Sequence, residues 1–296
     1  MRSRHGGTKG NMANKKILIL GCGGMLGHDL TDVFSDYDLT PWDLPELDIT
    51  NHDLVEKKLT ELKPSIVINA AAYTDVDGAE NKAELAFKIN AEAVGNLAKV
   101  CQKIFAIFVH FGTEYVFSGN NENGYSEEAP TDPINIYGQS KAKGDELLKE
   151  NCEMYYLIRS SWLYGRSPQV GKPRGLNFVQ TMIKLASEGK EINVVSDQFG
   201  KPTYTLDLAK KTREIIENTM PCGIYHTVNE GVCSWYEFAK KIFEFKNISA
   251  KLNPITSKEY MLPTPRPKYS VLINTKLEPL RKWEEALKDY LNFNYL

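Results

Sequence analysis

The chain has 296 residues, which is enough for one large α/β domain or for a nucleotide-binding domain with a smaller partner. Its 36 basic and 38 acidic residues give a formal net charge of −2, which argues against nucleic acid or an anionic membrane as the main partner. Five cysteines without C-x-x-C spacing indicate neither a zinc site nor a disulfide scaffold, and they predict reduced thiols in a cytoplasmic protein. No apolar run approaches the roughly 18 residues of a membrane span.

Short apolar strands alternate with helical stretches from Lys15 onward, after a polar segment over 1–13 that we expect to be a disordered tail. Strands are predicted at 17–20, near 39, and at 66–68, 105–110 and 155–158. Helices are predicted to begin near 25 and 53, to cover 82–101 and to include 137. Repeated βαβ units of this kind predict an α/β fold with a doubly wound parallel sheet.

A glycine-rich turn follows the first strand and opens the first helix. Its glycines, Gly21, Gly24 and Gly27, permit a tight turn and let backbone N–H groups approach a pyrophosphate at the positive end of the helix. An ordinary βα turn can have the same composition. The position between a strand and a helix nevertheless favours a nucleotide cofactor, so the first part of the chain is predicted to be a Rossmann domain.

Acidic residues near the end of the second strand bear on which cofactor binds. Asp43 follows the glycines by about twenty residues, where a carboxylate can accept a hydrogen bond from the ribose 2′-OH and repel a 2′-phosphate. This favours NADH while leaving NADPH open. Asp48 and Ile49 can lie near the adenine, although Asp48 can equally cap the helix that follows.

The domain boundaries follow from a change in composition and strand pattern beyond Gly165. We predict an NAD(P)-binding Rossmann domain over 14–165, rejoined by about 195–228. A smaller C-terminal α/β substrate-binding lobe is predicted from 166–194 and 229–296. Within that lobe, the segments 166–174 and 254–268 are rich in proline, glycine and basic residues and are poor in strand pattern.

A possible catalytic set lies at the predicted carboxyl edge of the sheet. Tyr137 and Lys141 are four residues apart on one helix face, and an ammonium there would lower the pKa of the phenol. Thr113 leaves the next strand at the same edge, and the small residues Ala70–Ala72 would let a flat cofactor lie across it. Carbonyl reduction needs a hydride, a proton donor and a second hydrogen bond to the oxygen. Each feature alone has a plainer explanation, namely a helix-surface pair, a strand-end cap and simple packing.

Several longer motifs make the chain resemble the dTDP-4-dehydrorhamnose reductase family, within the extended short-chain dehydrogenase/reductases. The resemblance covers nearly everything from Lys16 to Leu291. The motifs that carry it are Asn69-Ala-Ala-Ala-Tyr-Thr-Asp-Val-Asp77, Thr113-Glu-Tyr-Val-Phe117, Tyr137-Gly-Gln-Ser-Lys141, Arg159-Ser-Ser-Trp-Leu-Tyr-Gly165, Asn177-Phe178, Asp197-Gln-Phe-Gly-Lys-Pro-Thr203, Ser234-Trp-Tyr-Glu-Phe-Ala239 and Arg266-Pro267.

The resemblance implies NAD(P)H-dependent reduction of the C4 ketone of dTDP-4-dehydro-L-rhamnose to dTDP-L-rhamnose. It implies that Thr113, Tyr137 and Lys141 are catalytic. The residues that it places at the cofactor are Gly24, Met25, Leu26, Asp48, Ile49, Ala70, Ala71 and Ala72. The residues that it places at the sugar are Thr74, Val76, Glu114, Tyr115 and Trp162.

One departure from the family pattern affects the sugar site. The family usually has Ser-Thr-Asp where this chain has Gly112-Thr113-Glu114, so a hydroxyl is missing and the carboxylate lies one methylene further out. We expect the chemistry to survive and the sugar contacts to shift. For the nucleotide, Asn177 can bind it or cap a helix, and Arg266 can pair with the diphosphate or lie on the solvated surface.

Two rival hypotheses remain. The chain could be a reductase or epimerase of another nucleotide sugar, or a non-catalytic regulatory subunit like that of methionine adenosyltransferase. Retention of Thr113, Tyr137 and Lys141 speaks against the second. The resemblance makes a homodimer and a bridging Mg²⁺ possible, but the sequence contains no cluster that we would assign to a metal.

Overall fold

The computed structural model describes residues 15–170 and 175–293, so the predicted tail over 1–13 lies outside the described residues. The strands are β1 (Lys16–Leu20), β2 (Asp38–Trp42), β3 (Ile66–Asn69), β4 (Ile107–Thr113), β5 (Tyr155–Ser160), β6 (Leu163–Tyr164), β7 (Ile192–Val195), β8 (Phe199–Gly200), β9 (Thr203–Tyr204), β10 (Gly223–His226), β11 (Cys233–Ser234), β12 (Leu252–Ile255) and β13 (Tyr269–Ser270). The helices are α1 (Met25–Val33), α2 (His52–Leu62), α3 (Val76–Asn81), α4 (Ala83–Phe87), α5 (Ala93–Lys103), α6 (Ile136–Asn151), α7 (Phe178–Ser187), α8 (Thr205–Glu217), α9 (Trp235–Lys246), α10 (Ser257–Tyr260) and α11 (Trp283–Asn292).

Six strands form one parallel sheet in the order β10-β5-β4-β3-β1-β2. The order reverses between β1 and β3, with β2 on one side of β1 and β3 on the other. The doubly wound parallel sheet predicted from the alternating pattern is therefore confirmed. Its central strands β1 and β3 contain buried apolar runs, 17–20 and 66–68, as a sheet covered on both faces requires.

Helices cover the sheet on both faces. One apolar core lies under α2, α5 and α6, and a second lies under α1 and α8, which pack against each other. Because α8 and β10 belong to these layers, the chain returns to the sheet within 195–228. The exact domain boundaries remain a prediction.

The remaining segments pack around a third core. Helices α7, α9 and α11 enclose it together with short two- and three-stranded sheets. Strand β12 pairs in parallel with β7, although the segment 254–268 was predicted to be poor in strand. That prediction was wrong at its first residues, because Pro254 occupies an exposed position of a short two-stranded ribbon, where proline is tolerated.

The helix predicted over 82–101 is interrupted. A π-helical turn over Lys88–Glu92 separates α4 from α5. The turn carries Asn90 inward, where its side chain bonds both the N–H and the carbonyl of Tyr73 and also the Ser140 hydroxyl. Such turns are common near functional sites. Among the residues described, no helix is long and apolar enough to cross a bilayer.

Candidate active site

A cleft of about 800 Å³ opens where β1, β3 and β4 end and the smaller helical region begins. All but one of the site residues predicted from the sequence lie along its walls. These are Gly21, Gly24, Met25, Leu26, Gly27, Asp43, Asp48, Ile49, Ala70, Ala71, Ala72, Thr74, Val76, Thr113, Glu114, Tyr115, Tyr137, Lys141, Trp162 and Arg266. The carboxyl ends of parallel strands are where ligands bind in such sheets.

The glycine-rich turn forms one end of the cleft. Gly21 has φ +78°, and a Cβ there would lie 2.5 Å from the Ala71 nitrogen, so only glycine lets these two strand ends approach. Gly24 is the N-cap of α1 and supplies no side-chain hydrogen bond, which leaves the first backbone N–H groups of the helix without a side-chain partner. An uncapped helix end beside glycines fits the pyrophosphate of a dinucleotide.

Asp43 lies at the end of β2, as predicted, and holds the glycine turn. Its carboxylate accepts the Gly23 N–H at 2.8 Å and the Leu44 N–H at 2.8 Å. The contact with a ribose 2′-OH stays a prediction. Asp48 accepts two hydrogen bonds from Thr50, whereas Asn51 caps α2, so the capping alternative for Asp48 was wrong.

The predicted catalytic hydroxyls come together at the middle of the cleft. Thr113 ends β4, and its hydroxyl donates to the Glu114 carboxylate at 2.7 Å and accepts the Tyr115 N–H. Tyr137 lies in the first turn of α6, whose N-cap is Asn135. The rings of Tyr115 and Tyr137 meet edge to face at 5.3 Å, which orients the Tyr137 phenol.

The pKa of Tyr137 is raised rather than lowered. Withdrawal from water is the main cause, and the nearby Glu114 carboxylate adds to it, while a hydrogen bond with the Thr113 hydroxyl acts in the opposite direction. Lys141 is not among these causes, and its lowering of the Tyr137 pKa stays a prediction. The Lys141 amine is turned toward the sheet, where it donates to the Phe111 carbonyl at 2.7 Å.

Two further ionisable groups beside the phenol are buried. Burial lowers the pKa of Lys141 to about 8, although the charge of Asp145 works in the opposite direction. Burial raises the pKa of Glu114 to about 7, against hydrogen bonds from the Thr113 hydroxyl and from backbone N–H groups. The cleft therefore contains an acid and a base that titrate near neutral pH, as is common at catalytic sites.

Aromatic side chains line the opposite wall. Trp162 has φ +48°, an unusual conformation for a bulky residue, and its ring stacks on Trp235 with centroids 3.6 Å apart. Phe178 packs against Trp235 from the other side. Trp235 lines the cleft, whereas Phe238 on the same helix is buried in the core. The turn of α9 that carries Trp235 resembles any amphipathic helix, so the sequence had no signal for this.

Arg266 and Arg166 occupy different places in the structure. Arg266 lines the cleft and pairs with Asp77 at 2.8 Å, with its side chain only 11% exposed. Arg166 instead bonds Asp29 and Asp32 on α1, away from the cleft. Arg174 lies outside the described residues. A diphosphate would therefore find Arg266 as a guanidinium partner at this wall.

Asn177 does not reach the cleft. It is fully buried and caps α7 through a capping box with Gln180, and its amide also donates to the Gly165 carbonyl at 2.8 Å. All its polar atoms are satisfied inside the protein. The substrate role predicted for Asn177 is corrected to a structural one, because capping was the stronger demand on this side chain. No group of metal-binding side chains was found within 15–170 and 175–293.

Comparisons with known proteins agree with this geometry. The family model described as the RmlD substrate binding domain matches residues 15–295. The spore coat polysaccharide biosynthesis protein SpsK of Bacillus subtilis is 39% identical over 93% of this chain and 96% of its own length. The dTDP-4-dehydrorhamnose reductase of Streptomyces griseus is 36% identical over 92% and 91%.

A solved structure extends the likeness to the whole fold. The dTDP-4-dehydrorhamnose reductase of Bacillus anthracis, crystallised in complex with NADP, superposes with a TM-score of 0.88 at 40% identity, covering 94% of this chain and 99% of that one. The fold class predicted from the strand pattern and the family predicted from the motifs are both confirmed. The chain belongs to the RmlD substrate binding domain family.

Proposed function

We propose that this protein is a dTDP-4-dehydrorhamnose reductase, which uses NADH or NADPH to reduce the C4 ketone of dTDP-4-dehydro-L-rhamnose to dTDP-L-rhamnose. The observation that carries the proposal is the meeting of Thr113, Tyr137 and Lys141 in one cleft that also contains the glycine-rich turn. A proton donor, a second hydroxyl for the carbonyl oxygen and an anion-binding helix end are thus within one continuous space.

Each residue has a definite task in this reaction. When bound, the cofactor would supply the hydride, and the glycine-rich turn and Ala70–Ala72 would hold it in the cleft. The Tyr137 phenol gives its proton to the oxygen of the reduced carbon, and the Thr113 hydroxyl holds that oxygen by a second hydrogen bond. A raised pKa of Tyr137 keeps the phenol protonated and ready to donate at neutral pH.

The substrate is proposed to lie along the aromatic wall. Trp162 and Trp235 offer flat apolar surface, and Arg266 offers a planar guanidinium that suits a diphosphate oxygen. Thr74 lines the same wall, where its hydroxyl already donates to the Val170 carbonyl. Val76, Glu114 and Tyr115 are proposed to contact the sugar.

The proposal is tested by the consumption of NADH and of NADPH with enzymatically generated dTDP-4-dehydro-L-rhamnose. Tyr137→Phe should lower kcat by about 10²-fold or more, because it removes the proton donor. Tyr164→Phe is the matched control. Its phenol is also buried but has no hydrogen-bond partner in the structure, and it lies outside the cleft. Absence of turnover in the wild-type protein would refute the proposal.

Glu114 favours a second candidate, namely reduction of a different nucleotide sugar. Its carboxyl reaches one methylene further than the aspartate that the family usually has at this position. Competition among nucleotide sugars that differ in base or in sugar separates the two candidates. If another sugar is turned over with a higher kcat/KM, the substrate assignment changes while the roles of Tyr137 and Thr113 stand.

A cytoplasmic location and a homodimer are parts of the same proposal. Support for the location comes from the cysteines, all five of which are free, with Cys101, Cys152 and Cys233 buried. Fractionation of cells and size-exclusion chromatography with light scattering test these two points directly.

A further inference from the structure

A buried chain of polar side chains lies directly behind the catalytic lysine. Asn69 and His110 are register partners at neighbouring positions of β3 and β4. The Asn69 amide nitrogen lies 3.2 Å from His110 Nδ1, and His110 Nε2 lies 3.2 Å from Lys141 Nζ. The three residues are 0%, 1% and 2% exposed, so water cannot replace any of these contacts.

The direction of these hydrogen bonds follows from the Ala71 N–H. Asn69 Oδ1 accepts that N–H at 3.1 Å, which turns the NH₂ group of the amide toward His110. An amide NH₂ can only donate, so His110 Nδ1 must accept. A neutral imidazole then carries its hydrogen on Nε2, which faces Lys141.

The Lys141 amine therefore meets a donor. An ammonium has no lone pair, so one of its N–H groups would point at the His110 Nε2–H and the two donors would repel each other. A neutral amine can accept the Nε2–H with its lone pair and still donate to the Phe111 carbonyl. Protonation of Lys141 would require His110 to change tautomer and Asn69 to turn its amide. The hydrogen bond to the Ala71 N–H, at the edge of the cleft, would then be lost.

We propose that His110 is a positioning residue that donates its Nε2–H to the neutral Lys141 amine, so that this lysine loses its proton at a lower pH than it otherwise would. The catalytic part of this inference rests on the proposed function. Reduction leaves a phenolate on Tyr137, which a Lys141 ammonium would stabilise. His110 would thus set the pH above which that stabilisation is lost.

The other groups around Lys141 do not reverse the preference for the neutral amine. Asp145, one turn along α6, favours the ammonium, but its carboxylate is already paired with Arg159 at 3.0 Å. Tyr137 lies one turn before and is neutral. Burial, with the Lys141 charge as the second cause, holds the pKa of His110 well below its ordinary value, so this imidazole does not become a second cation.

The first test reads the tautomer of His110 in the ligand-free wild-type protein. Long-range ¹H–¹⁵N correlation spectra of ¹⁵N-histidine-labelled protein distinguish the Nε2–H form from the Nδ1–H form and from imidazolium. We expect the Nε2–H form at pH 10, where Lys141, with its pKa of about 8, is neutral. Either of the other forms would overturn the proposal, and the result does not depend on turnover or on any variant folding.

The second test compares His110→Asn with His226→Asn. Asparagine at 110 can keep an acceptor for Asn69 and removes the N–H that faces Lys141. His226 is equally buried at the end of β10, but it bonds the Ile273 carbonyl instead and serves as the matched control. The ¹³Cε shift of Lys141, followed against pH, should titrate about one pH unit higher in His110→Asn alone. An unchanged midpoint would refute the inference.

The pH profile of turnover supplies a further readout. The alkaline limb of kcat should move upward with the Lys141 midpoint in His110→Asn and stay in place in His226→Asn. A uniform loss of kcat without a shifted limb would mean that His110 is merely structural. If the wild-type protein does not turn over, the proposed function fails, while the tautomer and the Lys141 titration still decide the inference.

Discussion

Replacement of Glu114 with glutamine removes one titrating group from the centre of the site and keeps the shape of the side chain. The carboxyl is 4% exposed and accepts the Thr113 hydroxyl, and burial raises its pKa from an ordinary 4.5 to about 7. This difference in pKa, about 2.5, corresponds to about 3 kcal/mol of unfolding free energy.

The sign follows from where the proton is held. Between pH 4.5 and about 7 the unfolded chain has released the Glu114 proton, while the folded protein keeps it. The folded state binds more protons in this window, so its stability falls as the pH rises, and the loss is complete above about pH 7. Glutamine does not titrate, so the stability of Glu114→Gln does not fall in this way as the pH rises.

Urea unfolding of both proteins at pH 4, 5, 6, 7 and 8 measures the effect. The stability of Glu114→Gln minus that of the wild type should rise by about 3 kcal/mol across this range. All other groups cancel in the difference. A difference that stays constant with pH would show that Glu114 is solvated or paired, contrary to the structure.

Glu127→Gln provides a control of opposite sign. Burial tends to raise the pKa of Glu127, but hydrogen bonds from Thr275 outweigh it and the pKa is lowered. The wild type should therefore lose stability relative to Glu127→Gln as the pH falls through the acid range. Opposite trends in the two variants would exclude a general effect of pH on the fold.

Three further predictions concern Asn177 behind the cleft and two residues that line it. Asn177→Ala should lower the unfolding free energy by about 2 kcal/mol, measured in urea, and leave kcat unchanged, because a cap and a buried hydrogen bond are lost outside the cleft. Arg266→Met should raise KM for the nucleotide sugar about tenfold with little effect on kcat, and a changed kcat alone would contradict this. Trp235→Leu should raise the same KM by removing the stack behind Trp162, and a KM equal to that of the wild type would show that the stack does not shape the wall.

The sequence predicted the residues at the strand ends better than it predicted the aromatic wall opposite them, which Trp162, Phe178 and Trp235 form. Residues at the carboxyl ends of parallel strands must share one edge of the sheet, so Gly21, Ala71 and Thr113 could be brought together from strand order alone. Tyr137 and Lys141 followed from helix geometry. These relations depend on the backbone, which short periodic patterns describe well.

The residues that were missed depend on packing between distant segments. Trp235 begins a helix with an apolar face, and nothing in that pattern tells which part of the face borders a cavity rather than the core. The π-helical turn that carries Asn90 inward has no compositional mark, because its residues, Lys88–Glu92, include neither glycine nor proline. The turn is explained by Tyr73 and Ser140, with which the Asn90 side chain forms hydrogen bonds.

The protonation of Lys141 shows the same limit in chemical terms. Helix spacing places the amine near Tyr137 and predicts an ammonium that lowers the pKa of the phenol. The structure adds what lies behind the amine, namely the Phe111 carbonyl and His110, whose side chain comes from the interior of β4. A hydrogen bond network selects among protonation states through the direction of each donor, and that direction is set here by the backbone N–H of Ala71. The charge of a catalytic lysine is therefore a property of the sheet beneath it as much as of the helix that carries it.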